Sequence, residues 1–192
     1  MSSVVISGDT SGTITLQAPA VSGSTTLTLP ATTATLATLT TPSFASTIGV
    51  GGATASASGS GISFPATQSA SSDANTLDDY EEGTFSPAPT PSTGSFTSVS
   101  SSGRYTKIGR QVTVSVSISI TTVGTASGTI NFTIPFSTDG NIYVGEAIET
   151  AAVGITGPVL VSVTNGTIRK YDWSGVVIGT SYSWQATVTY FV

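Results

Sequence analysis

Neither cysteine nor histidine occurs anywhere in the chain. Without cysteine there is no disulfide, no thiolate nucleophile and no cysteine-ligated zinc, and without histidine the commonest general base is missing as well. A serine nucleophile needs a positioned base, and Lys107 and Lys170 stand in no Ser-x-x-Lys spacing. The chain therefore reads as non-catalytic, with no cofactor. Charge is scarce too: charged residues make up 8% of the sequence, against about 25% in ordinary soluble domains. Five basic and ten acidic residues leave a net charge of -5. The basic residues form two small groups, Arg104/Lys107/Arg110 and Arg169/Lys170. No basic stripe tracks a phosphate backbone, so nucleic acid is not an expected partner. No run of about 20 apolar residues is present, which excludes a helical membrane span. The start, Met1 to Gly8, lacks the basic residues and apolar core of a secretory signal. The expectation is a protein made in a cytoplasm, soluble until it assembles, with no membrane insertion.

In place of charge the chain carries Ser, Thr and Gly. Their hydroxyls compete for backbone hydrogen bonds in a helix, and Thr is branched at Cβ, so strands and turns suit this composition better. The clearest strand is Val112 to Ile120, where every even position is apolar and every odd one bears a hydroxyl, the pattern of a half-buried strand. The same alternation runs through Ile130/Phe132/Ile134, Val159/Val161/Val163 and Tyr182/Trp184/Ala186/Val188/Tyr190. Turn signals fall between them at Gly124, Asp139-Gly140-Asn141, Asn165-Gly166 and Ser174-Gly175. Asn-Gly suits a two-residue hairpin turn best, which predicts a hairpin from Val159 to Trp173 turning at Asn165-Gly166. Strands at this spacing indicate an antiparallel β-sandwich or jelly-roll-like domain of about seven or eight strands.

Charge and aromatics divide the chain. Positions 10 to 72 hold no charged residue, and 13 of the 15 aromatics lie at or beyond residue 80. Large apolar groups make a core, so the packed domain is expected at 83–192. Before it, residues 45–82 have the Gly/Ser/Ala composition of a tether, ordered where it packs along a neighbouring subunit. Residues 1–44 read as an N-terminal β arm for anchoring and assembly. The arm contains a repeat: Ser11 to Ala20 returns as Ser22 to Ala31, and each copy reads as one strand between a Gly turn and a Pro stop. Ile14 and Leu16 in one copy, Leu27 and Leu29 in the other, give each strand a narrow apolar edge. Two such strands bury too little to stand alone, so arms of different chains are expected to pair.

Four candidate sites follow. Asp78-Asp79-Tyr80-Glu81-Glu82-Gly83 is the one dense charge cluster. Clustered oxygens suit calcium or a glycoside-cleaving carboxylate pair, but no second acidic cluster completes a cation shell, and a solvated turn with Gly83 permitting the reversal is the better reading. Glu146 and Glu149 form a weaker acidic pair. Tyr171 and Trp173, beside Arg169, Lys170 and Asp172, are the candidate carbohydrate contact, whereas Trp184 shares the face of Val188 and belongs to the core. Asn131-Phe132-Thr133 and Asn165-Gly166-Thr167 match the glycosylation pattern but read as a strand and a turn.

Two stretches, Asn75-Thr76-Leu77-Asp78-Asp79-Tyr80-Glu81-Glu82-Gly83-Thr84-Phe85-Ser86-Pro87 and Gly103-Arg104-Tyr105-Thr106-Lys107-Ile108-Gly109-Arg110-Gln111-Val112, together resemble a module of tailed-bacteriophage virion proteins. It occurs in tail fibres and in head-surface fibres or decoration proteins. The repeats Gly12 to Ala20 and Thr26 to Ala31 are similar to segments that precede the same module, so the resemblance covers residues 8–36 and 75–112. It implies a virion surface protein, usually trimeric, with the C-terminal β-domain outward. A chain of this length suits a capsid decoration or cement protein, its arm on the phage major capsid protein. A short tail fibre, or a receptor-binding protein that grips a host-surface glycan, is the alternative.

Overall fold

The computed structural model describes residues 3–7, 13–17, 47–56, 59–68, 71–73, 75–176 and 178–192. The chain divides into two compact units, Met1–Ser43 and Phe44–Val192. In the first, β1 (Ser3–Ser7) pairs antiparallel with β2 (Thr13–Gln17), which places Val4 opposite Leu16 and Ile6 opposite Ile14. The first repeat is thus a strand, as its alternation predicts, but its partner is an upstream segment of the same chain. Of the four arm residues, Ile14 and Leu16 lie on β2, and Leu27 and Leu29 lie outside the described residues.

The second unit begins with a short parallel pair, β3 (Ile48–Gly49) and β4 (Ile62–Ser63). Val50 N–H donates to the Ser63 carbonyl at 3.0 Å, and the Phe64 ring lies 6.5 Å from that of Tyr80. These parts of the expected tether are therefore folded. No helix occurs among the described residues.

Nine strands form the main sheet: β5 (Tyr80–Phe85), β6 (Thr90–Thr93), β7 (Ser98–Ile108), β8 (Gln111–Thr122), β9 (Ser127–Thr133), β10 (Ile142–Glu149), β11 (Thr156–Ser162), β12 (Asn165–Ile168) and β13 (Tyr182–Phe191). Their order is β5-β7-β8-β13-β10-β11-β12-β9-β6, antiparallel throughout. The first strand and the next in sequence thus occupy opposite edges, joined by residues 86–89 alone. Laid flat, nine strands spaced about 4.8 Å apart would put those edges about 38 Å from each other. The connection from Phe85 to Thr90 reaches at most about 18 Å. The sheet has to curl into a sandwich-like shape, and the bridging segment is tied on both sides: Ala88 N–H donates to Thr133 Oγ1 of β9 at 3.1 Å, and Ser101 Oγ of β7 donates to the Pro87 carbonyl.

Curling brings the inward faces together. Val112, Val114, Val116, Ile118 and Ile120 of β8 stand beside Trp184, Ala186, Val188 and Tyr190 of the paired strand β13, with Ile130, Phe132, Val159, Val161 and Ile168 completing one buried cluster. Full burial of each large side chain contributes about 1.5–3 kcal/mol. The edges are well guarded. β6 is four residues long, contains Pro91 and breaks register, and β5 carries Glu81 and Glu82, all features that discourage further pairing.

Three glycines lie within strands and make room for rings. A Cβ at Gly83 would sit 2.8 Å from the Tyr105 hydroxyl, one at Gly103 would collide with the Phe85 ring, and one at Gly166 with the Phe132 ring. This corrects two expectations. Gly83 is in mid-strand and reverses nothing. The β11–β12 hairpin exists, but Ser162 pairs with Asn165, so Val163 and Thr164 make the turn, Val163 at φ 51°. Asn165-Gly166 lies within β12 because the Phe132 ring, 1% exposed, needs the space above Gly166.

Gly166→Ala is expected to destabilise the domain by about 1–3 kcal/mol through overpacking against Phe132. Asn165→Ala, one position away on the exposed face, should shift the urea midpoint far less, and equal shifts would remove the ring-space explanation.

Candidate functional site

The acidic run is distributed over both sides of β5. Asp79, 5% exposed, forms an ion pair with Lys107, itself 5% exposed. The Lys107 ammonium also meets Gln68 Oε1 at 3.3 Å and lies 5.9 Å from the Phe136 ring centroid. Glu81 points the same way and accepts the Tyr105 hydroxyl, a bond that helps push the Tyr105 phenol up to about 12. Glu82 faces outward and accepts from the Tyr80 hydroxyl at 2.9 Å. Asp78 precedes the strand, where Ser71 N–H at 2.7 Å holds its carboxyl below the ordinary value. Asp79, Glu81 and Lys107 line one hollow of about 560 Å³ with Gln68 and Phe136. The expected solvated turn is therefore a strand whose inward acids are tied to a cation and a phenol. Among the described residues no group of three acids is placed to hold a metal ion.

Glu146 and Glu149 do not form a pair. Three positions apart on β10, they point to opposite faces. Glu146 is exposed, whereas Glu149 is fully buried. Among the described residues no cation is paired with the Glu149 carboxylate. The loop after β10 folds around it instead: Oε1 accepts from Ala151 N–H at 2.8 Å and Ser183 N–H at 3.0 Å, and Oε2 from Ala152, Val153 and Gly154 at 2.9, 2.7 and 3.2 Å. Gly154 closes the wrap at φ 64°. Burial pushes this carboxyl up, and the bonds from Val153, Ser183, Ala151 and Ala152 outweigh it, holding the pKa at about 2. Sequence reading did not single out Glu149 for this role. The available signal was its place on the inward phase of β10, shared with Ala147, just before a run of small residues ending in glycine.

Tyr171 and Trp173 occupy a tight turn after β12. Trp173 N–H donates to the Lys170 carbonyl at 3.0 Å and Lys170 N–H to the Ser174 carbonyl at 3.1 Å. Ser174 donates to Asp172 Oδ1 through its hydroxyl at 2.6 Å and its N–H at 2.9 Å, which lowers the Asp172 pKa. Trp173 is held at φ 66°, a conformation that costs a bulky residue about 1–2 kcal/mol. Both rings are exposed, Tyr171 by 65% and Trp173 by 61%. The Arg169 guanidinium covers one face of the Trp173 ring at 5.5 Å. Tyr171 lines a hollow of about 390 Å³ with Ile155, Thr156, Lys170 and Asp172, and Trp173 stands outside it. The two rings thus share a turn but not a cleft. Trp184 is fully buried, as its phase on β13 predicts.

Comparison with protein-family models, curated proteins and solved structures finds no match to this chain.

The Glu149 wrap makes a pH prediction. Its folded pKa of about 2 lies below its ordinary value of 4.5, so its contribution to stability is complete above about pH 4.5 and is lost as pH falls towards about 2. Glu149→Gln, which turns an amide NH₂ towards N–H donors, should cost about 2–4 kcal/mol at neutral pH. Subtracting the variant's stability profile from the wild type's should isolate an acid loss in that window from those of surface acids such as Asp78, Asp139 and Asp172. A flat difference between pH 5 and pH 2 would show that the carboxylate is not the organising group.

Proposed function

We propose that the chain is a non-catalytic structural protein of a tailed-phage virion that decorates and stabilises the capsid surface as a homotrimer, with its arm on the major capsid protein and its β-domain projecting. The virion assignment rests on the resemblance of residues 8–36 and 75–112. The observation that carries the assembly role is an apolar strip on the outer face of β10. Ile142, Val144 and Ile148 are 65%, 68% and 42% exposed. Leu160, opposite Val144, and Pro158, opposite Glu146, extend the strip onto β11. β10 is central in the sheet, so this strip is served by face-to-face packing rather than strand addition, and a second copy of the chain is the occupant a trimer supplies. The inward acids of the 78–82 run fit a non-catalytic role, since Asp79 is held by Lys107 and Glu81 by Tyr105.

A second reading, a short tail fibre or receptor-binding protein, is favoured by Tyr171 and Trp173. Two exposed rings on a turn held in an uncommon backbone conformation are suited to stacking on a glycan.

Cryo-electron microscopy of the particle tests the choice. Decoration is expected to give density at icosahedral shell positions, and density confined to the tail would establish the fibre reading instead. For assembly, light scattering should find a trimer at micromolar concentration, and Val144→Glu should reduce it to a folded monomer. A wild-type monomer, or a trimer indifferent to Val144→Glu, would exclude the β10 strip as the subunit contact.

A further inference from the structure

The chain has five basic side chains, and three of them are engaged by a neighbouring group. Lys107 is paired with Asp79. Arg110 donates to the Val192 carbonyl at 3.0 Å and lies 3.7 Å from Asp139. Arg169 covers Trp173, and Lys170, without an ion pair of its own among the described residues, is near enough to Asp172 to help lower its carboxyl. Among the described residues Arg104 has no carboxylate, ring or carbonyl against it. In a protein this poor in charge, an uncompensated guanidinium on β7, one strand in from the sheet edge, calls for an explanation.

Its surroundings supply one. Arg104 lies in a concave part of the outer sheet face, about 560 Å³ in volume, walled by Thr84, Ser102, Ser115, Ser117 and Gln185. That is within the usual range of roughly 300–1,000 Å³ for small-ligand sites. Strand register builds the wall. Thr84 and Ser115 stand directly opposite Arg104 on β5 and β8, and Ser117 stands between Ser102 and Gln185. Gln185 Nε2 donates to Ser117 Oγ at 2.9 Å, which fixes the amide, leaves its oxygen open as an acceptor and leaves the Ser117 proton free to donate. Among the described residues no acid lines the depression. The diagonal neighbour Glu82 is engaged by Tyr80, and the outward acid on the far side, Glu146, opposite Thr187, is three strand spacings from Arg104, about 14 Å.

We infer that this depression binds a saccharide bearing a carboxylate, with Arg104 gripping the carboxylate and the hydroxyl and amide wall meeting the sugar hydroxyls. The guanidinium is a planar fork that matches a carboxylate through two parallel hydrogen bonds. Hydroxyls both donate and accept, as sugar hydroxyls do. The strands hold these groups in place before any ligand arrives, so little is lost in ordering them. This site is separate from the Tyr171/Trp173 turn and independent of where the protein sits on a particle.

The test is calorimetric titration of the full chain with the methyl glycosides of glucuronic acid and N-acetylneuraminic acid, each compared with its own methyl ester. At least one acid is expected to bind, and esterification should weaken it tenfold or more. Arg104→Gln should lower affinity for that acid to the level of its ester. Asn165→Ala, on the outer face of β12 five strands from β7 in the sheet order, should leave the affinity unchanged, and because Arg104 and Asn165 are both exposed both variants should melt close to the wild type. Equal binding of acid and ester, acid binding that survives Arg104→Gln, or no binding of either acid at tens of millimolar would overturn the inference. Loss of binding in Asn165→Ala alone would move the site away from the depression.

Discussion

The nine-stranded sheet is shaped by the requirement that residues 86–89 join its opposite edges. A connection that short cannot span a flat sheet of this width, so curvature is imposed early in the domain's sequence, before most of its strands have appeared. Everything inward then follows. Once β5 and β6 are held near each other, β8 and β13 lie across from β9, β11 and β12, and side chains that merely alternate along their strands become a single core. The edges need only local protection, supplied by Pro91, by a register break and by two glutamates.

How far this was legible in the sequence depended on whether a residue acts through its own periodicity or through a distant neighbour. β8 and β13 were readable because alternation over nine or more positions has one interpretation, and Trp184 was placed in the core from its phase alone. Gly83 and Gly166 were misread as turn residues because glycine has two uses, positive φ and missing volume, and sequence displays only the residue. Which use applies is decided by Tyr105 and Phe132, which are 22 and 34 positions away in the chain. The acidic run was misread for a related reason. Five polar positions in succession resemble a solvated turn, yet a strand sends alternate residues inward, and Lys107 waits there for Asp79. The opposite faces of Glu146 and Glu149 could have been read from their spacing, while the loop that wraps Glu149 could not, since its donors are backbone groups that any sequence provides.

Scarcity of charge makes each charge informative. The buried ones are matched: Asp79 by an ammonium, Glu149 by five N–H groups. These are two different solutions to the same desolvation problem. The Lys107 pair depends on one partner and fails if either member is removed. The Glu149 wrap spreads its stabilisation over the backbone of one loop and the start of β13, so it organises local geometry without needing a second charged side chain. That choice keeps the β10–β11 loop compact directly beside the apolar strip proposed for subunit contact.

The outer surface accordingly separates into two kinds of face. Over β7, β8 and β13 it is a lattice of short hydroxyls, with Thr113 bonded to Thr189 at 2.9 Å and Gln185 to Ser117 at 2.9 Å. Short side chains have few rotamers to lose, so contacts made there incur a small entropic cost, and hydroxyls already bonded across strands are fixed in direction. Such a face is chemically suited to polar, hydroxylated partners met through many weak contacts. Over β10 and β11 the hydroxyls give way to Ile142, Val144, Ile148 and Leu160, whose contribution comes from excluding water and requires a partner of matching shape. One curled sheet therefore presents a face suited to sugars and a face suited to protein, and the change between them falls at the β13–β10 boundary. Arg104 lies well inside the first region, where an unpaired cation adds a directional, charge-selective contact to a surface that otherwise discriminates only by hydroxyl geometry.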